Sequence, residues 1–167
     1  APRKQRVAEL GIRIVGKFET EDFSNMQMHP KDTGGSFFEI DEQKGDGAHA
    51  PDGPWEPAGE NWQRARALHR VRAITAAQVQ CDDPAAVAAR WAEIAQIDLD
   101  SDAGTPVLRL ENATLRFVPC TDGRPEGLGA IDVEATDAGA ILEAARALDA
   151  VTGDSQIYLC GMRINLV

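Results

Sequence analysis

Residues 71–120 and 127–167 carry the same succession of strand, helix and paired strands, repeated at a period of about 55 residues. In the first unit "RVRAITAAQVQ" (70–80) reads as a strand, and "DDPAAVAARWAEIAQI" reads as a helix with Asp83 as its cap and Pro84 in its first turn. Val87, Trp91 and Ile94 fall at i, i+4 and i+7 of that helix and mark its buried face. "PVLRL" and "ATLRFVP" follow as two strands. The second unit repeats this order: "GAIDVEAT" (129–136) is a strand, and "DAGAILEAARAL" (137–148) is a helix with Ile141, Leu142, Ala145 and Leu148 on its apolar side. "QIYLCGMRINLV" then supplies two short strands that turn at Cys160-Gly161. A unit of this kind exposes an apolar sheet face and an apolar helix stripe. Two of them must cover each other to fold.

The first 43 residues match the last part of a third such unit. "RKQRVAEL" reads as the end of a helix stopped at Gly11, and "IRIVGKF" as a strand. "NMQMH" and "SFFEI" pair across the "PKDTGG" turn. The reading predicts that residues 1–43 are the C-terminal part of an incomplete first domain, whose missing strands precede residue 1 or come from another chain. Residues 44–70 open with "KGDGAHAPDGPWEPAGE", whose glycines and prolines predict a linker pinned to a surface by Trp55. Residues 71–167 form the second domain.

Charge narrows the partners. The chain has 27 Asp and Glu against 17 Lys and Arg, a formal net charge of -10, and no basic stripe interleaved with aromatics. That balance argues against a nucleic-acid binder, whose affinity rests on cations. No apolar run reaches the length of a membrane span, and no signal-peptide pattern is readable. Cys81, Cys120 and Cys160 are odd in number and far apart, which excludes a disulfide framework and a close-spaced metal motif. A cytoplasmic protein is expected.

"HPKDTGGSFFEI", "GLGAIDVEATDAGAILEAARAL" and "YLCGMRINLV" resemble segments of the vicinal oxygen chelate family, which contains glyoxalase I, bleomycin-resistance proteins, extradiol dioxygenases and methylmalonyl-CoA epimerase. The first segment is similar to the C-terminal hairpin of the epimerases. The resemblance implies an α+β fold, with βαβββ modules of the glyoxalase/bleomycin-resistance/dioxygenase type paired into a curled mixed sheet. It also implies a divalent metal (Zn, Co, Ni, Mn or Fe) in the first domain, held by His or Gln and Glu. Such a metal polarises a carbonyl or thioester oxygen while a carboxylate takes the α-proton. Glu39 aligns with the family's last-strand glutamate, and so is the candidate metal ligand and catalytic residue. His29 aligns with a hairpin histidine that is not a ligand, and Asp32 belongs to the turn.

Residues 71–167 depart from the pattern. Ala76, Arg116, Ala130 and Asn165 stand where the family places its ligands. Alanine cannot ligate, and a guanidinium repels a cation. No metal is expected in this half. Asp132 with Glu134 is a candidate acid–base pair or a solvated strand face. Arg109 with Arg116 is a candidate for an anionic ligand or again a solvated face. Gln78, Gln80 and Asn165 are candidate pocket groups. His49 and His69 read as surface residues, and Cys160 as a small core or turn residue.

Two functions follow. The first is a metal-dependent epimerase, lyase or isomerase acting on a carbonyl or thioester substrate, with its site in the incomplete first domain. A ring-cleaving dioxygenase is disfavoured because no His-His-Glu set is readable. The second is a metal-free small-ligand-binding or structural protein of the same fold, without catalysis. A homo-oligomer such as a dimer is expected, because open sheets leave edges to cover.

Overall fold

The protein is described by a computed structural model covering residues 2–167. A helix, α1 (Pro2–Glu9), leads through Gly11 at φ 64° into an antiparallel three-stranded sheet of β1 (Ile14–Glu19), β2 (Phe23–Met28) and β3 (Phe38–Gln43). The β2–β3 connection is a 3-10 turn over Pro30–Asp32, where His29 Nδ1 accepts from the Lys31 backbone N–H at 3.1 Å. His29 is thus a cap of the hairpin turn. Asp32 ties the same turn to β1 through two oxygens that accept from Arg13, and the Arg13 side-chain bond holds its carboxyl well below the usual range.

The second sheet has eight strands. They are β4 (Val71–Cys81), β5 (Leu99–Asp102), β6 (Thr105–Arg109), β7 (Thr114–Pro119), β8 (Gly127–Ala135), β9 (Val151–Gly153), β10 (Gln156–Leu159) and β11 (Met162–Leu166). Helix α2 (Pro84–Ala95) follows β4 and α3 (Ala138–Arg146) follows β8. Both helices are capped by an aspartate: Asp83 accepts from the Ala86 N–H at 3.0 Å and Asp137 from the Ala140 N–H at 2.9 Å. The strand order is β5-β6-β7-β4-β8-β11-β10-β9.

This order corrects one expectation. The fold is α+β with a mixed sheet, but the sheet is not curled or closed. β4 and β8 pair antiparallel at the centre, and each unit builds outward from there. The outermost strands, β5 and β9, therefore lie at opposite ends of the order and do not pair with each other. β5 and β9 are also the two strands that sequence patterning misses. β5 is the polar segment "LDSD", exposed along its length, and β9 has three residues, too few for a period-2 signal.

α2 joins the two sheets. Val87, Ala88 and Trp91 pack on Val79, Cys81, Leu108 and Phe117 of the large sheet. Ile94 on the same helix packs with Val7 of α1, with Ile12 and with Met26 and Met28 of the small sheet. Trp91 stacks on Phe38 at 4.3 Å, meets Phe117 edge-on at 5.5 Å, and donates its Nε1–H to Thr33 O at 2.7 Å. Residues 44–66 run between the sheets as short turns. Trp62 Nε1 donates to Gly53 O, and the Glu56 N–H donates to Gln43 Oε1. Trp55 meets Phe23 edge-on at 5.5 Å, so it rests on β2. Among the described residues no helix is long and apolar enough to cross a membrane.

Candidate functional site

Register decides which side chains share a face. α2 and α3 cover one side of the eight-stranded sheet through Val79, Phe117, Ile157 and Ile164. The alternate residues face away from both helices and form two rows across the strands. One row runs Val107, Arg116, Gln78, Ala130, Arg163, Tyr158, each in register with the next. The other runs Arg109, Thr114, Ala76, Asp132, Asn165, Gln156. The four positions singled out as replaced ligands, Ala76, Arg116, Ala130 and Asn165, thus meet at the centre of one face.

They meet as a neutralised network. Asp132, 9% exposed, accepts from Arg116 Nη2 at 2.5 Å on one oxygen and from Asn165 Nδ2 at 2.7 Å on the other. Asn165 Oδ1 in turn accepts from Gln156 Nε2 at 2.8 Å. Glu134 bridges to Arg72 at 3.1 Å and Arg109 to Asp100 at 2.7 Å, so these two side chains take partners outside the network.

A second cluster adjoins it on the same face, and sequence reasoning had singled out only Gln80 of it. Gln80, Asp122, Arg124 and Arg163 interlock, with Tyr158 opposite Arg163 across the final hairpin. The Arg124 side-chain bond holds the Asp122 carboxyl well below the usual range, and Asp122 raises Arg124 in return. The available signal was the hairpin register of "YLCGMR", which puts Tyr158 against Arg163.

Glu39 lies exposed on β3, on the face of the small sheet away from α1. Its oxygens accept from Asn25 Nδ2 at 2.6 Å and Gln27 Nε2 at 2.7 Å. Asn25 also donates to Asp41 Oδ1 at 2.7 Å. Partial burial pushes the Asp41 carboxyl above its usual range; the Asn25 hydrogen bond opposes the rise and the Glu39 charge adds to it. This neighbourhood does not fit the metal that the resemblance implies. Its amides turn N–H groups on the carboxylates, and among the described residues no group of three or more His, Cys, Asp and Glu is placed to hold a metal. His49 lines a cavity of about 410 Å³ beside β3 together with Arg3, Lys4, Ser24 and Trp55.

Two of the three thiols are held toward their neutral form. All three cysteines are free; burial pushes Cys81 up to about 11 and also raises Cys120. Cys160 sits exposed in the β10–β11 turn at φ 51°.

No protein-family model and no curated protein matches the chain in sequence. Solved structures do match. A hypothetical protein from Staphylococcus aureus superimposes with a TM-score of 0.59 at 12% identity, over 99% of this chain and 60% of that one. A "putative dioxygenase" from Bacillus subtilis subsp. subtilis str. 168 aligns with a TM-score of 0.43 at 13% identity, over 99% of this chain and 59% of that one. The chain therefore spans about 60% of the length of the first of these, and shares its fold.

Proposed function

We propose that the chain is a metal-free protein of glyoxalase-like fold that binds a small ligand on the helix-free face of its large sheet, without turning it over. The observation that carries this reading is the Arg116–Asp132–Asn165 network. It fills the sheet centre with an internal ion pair and an amide in place of metal ligands. A cation placed there would have to displace Arg116 from Asp132. The amide donors on both oxygens of Glu39 and the raised, buried thiol of Cys81 support the same reading. Three free thiols accord with a reducing compartment such as the cytoplasm.

The test is elemental analysis of the whole protein purified without chelator, beside Glu39→Ala. Both proteins are expected to carry far less than one equivalent of Zn, Co, Ni, Mn or Fe. A stoichiometric metal in the wild type that disappears in Glu39→Ala would overturn the proposal. It would restore a metal-dependent epimerase, lyase or isomerase with Glu39 as ligand.

A further inference from the structure

Gln80 is 1% exposed and every polar atom of its side chain is engaged. Its Nε2 donates to Pro125 O at 3.0 Å and Asp122 Oδ1 at 3.2 Å, while its Oε1 accepts from Arg163 Nη2 at 3.2 Å and Arg124 Nη2 at 3.3 Å. Two guanidinium groups therefore end on one oxygen. Gly129 makes room for them: a Cβ there would fall 2.7 Å from Gln80 Oε1 and 2.9 Å from Arg163 Nη2.

One carboxylate serves both cations. Asp122 Oδ2 takes Arg124 Nη2 at 2.6 Å and also pairs with Arg163 Nη1. The cluster is left with one positive charge, on side chains less than a quarter exposed, in a protein of net charge -10. Like charges brought this close repel unless an anion joins them. Arg124 is used up structurally, with further bonds to Gly129 O and Gly161 O. Among the described residues Arg163 bonds through Nη1 to Asp122 and Nη2 to Gln80 and makes no bond through Nε, so its Nε–H and the second N–H of Nη2 remain as a donor edge. Beside it stands Tyr158, 40% exposed, with its ring centroid 5.7 Å from the Arg124 guanidinium carbon.

We propose that Arg163, backed by Arg124 and Gln80 and flanked by the Tyr158 ring, is the recognition site for a small organic monocarboxylate with an aromatic or planar body. A guanidinium edge matches the two oxygens of a carboxylate, one negative charge balances the cluster, and the exposed ring covers the ligand's apolar part. The inference rests on the metal-free binding reading and gives that reading its ligand class.

The experiment is calorimetric titration of the whole chain with benzoate, neutral benzamide and inorganic phosphate. Benzoate is expected to bind saturably at one site, benzamide to bind much more weakly, and phosphate to bind more weakly than benzoate. Arg163→Gln is expected to lose about tenfold or more in benzoate affinity, with Arg163→Lys between it and wild type. Tyr158→Leu, which leaves the hydrogen bonds among Gln80, Asp122, Arg124 and Arg163 in place, is expected to lose affinity for benzoate but not for acetate. The proposal is overturned if benzoate does not saturate the wild type, if Arg163→Gln binds it unchanged, if phosphate binds more tightly, or if Tyr158→Leu binds benzoate as the wild type does. A stoichiometric metal or turnover sinks the metal-free reading, whereas a failed titration on metal-free protein sinks this assignment alone.

Discussion

Asp132 shows how much one side chain holds in place. It is mostly buried and accepts from Arg116 and Asn165, so its removal strands a partly buried guanidinium and an amide. Asp132→Ala is expected to cost about 1–3 kcal/mol in urea unfolding, with the pair's partial exposure keeping it below the figure for fully buried pairs. Replacing both ions, Arg116→Met with Asp132→Leu, is expected to cost less than the single change, because no unpartnered charge remains. A double variant that loses more than the single one would mean that the network contributes through its geometry and not through charge compensation. Asp41 supplies the pH-dependent counterpart. Burial and Glu39 raise its pKa, so its neutral form is favoured in the fold. Its contribution is present below the ordinary carboxylate pKa and is lost as pH rises through the raised value. Asp41→Asn keeps the acceptor for Asn25, and is expected to flatten that fall and to gain less than about 1 kcal/mol at neutral pH. An unchanged stability profile between pH 3 and 7 would contradict it.

Among the elements, the β2–β3 turn docks on α2 through a glycine. Gly34 has φ 74°, and a Cβ there would lie 2.6 Å from Val87 Cγ2 and 2.9 Å from Cγ1. Gly34→Ala is therefore expected to cost about 2–4 kcal/mol from backbone strain and overlap together. In a Val87→Ala background only the contact with the residue-87 Cβ at 3.3 Å remains, and the cost should fall to about 1–2 kcal/mol. Additive effects in that double-mutant cycle would show that the turn does not bear on Val87. This turn also marks how far the sequence could be read. The Asp83 cap, the Val87-Trp91-Ile94 stripe and the hairpin turn with His29 were all legible, because each is set by neighbours in sequence. That Gly34 would face Val87, or that Trp91 would reach Thr33, was not, since docking of one element on another leaves no local pattern. The same holds on the large sheet. That Ala76, Arg116, Ala130 and Asn165 stand where the resemblance would place ligands was readable residue by residue. The arrival of Asp132 between Arg116 and Asn165 depends on the parallel β8–β11 register, which no single strand encodes. The curl came from the resemblance alone, since strand patterning speaks to pairing and not to closure.

For the whole molecule, the question is whether the small sheet and the large one unfold together. α2 contributes Val87, Ala88 and Trp91 to one apolar cluster and Ile94 to the other. Polar ties run alongside: Arg6 to Glu93 at 2.7 Å and Arg3 Nε to Ala95 O at 2.8 Å. Unfolding α2 would expose both cores at once, and neither sheet keeps a complete apolar covering without it. A single cooperative transition is the expected outcome, with far-UV circular dichroism and tryptophan fluorescence coinciding across a urea titration. Trp91 reports on the junction itself, since it lies between Phe38 of the small sheet and Phe117 of the large one. Ile94→Ala tests the coupling from the small-sheet side. Ile94 is fully buried among Val7, Ile12, Met26 and Met28, so its truncation is expected to cost about 2–5 kcal/mol. If the sheets are one unit, that loss moves the midpoint seen by both probes equally. If the variant splits the curve, with the α1–β3 segment released first and the circular dichroism of the large sheet unmoved, α2 belongs energetically to the large sheet alone and the small one is a docked appendage.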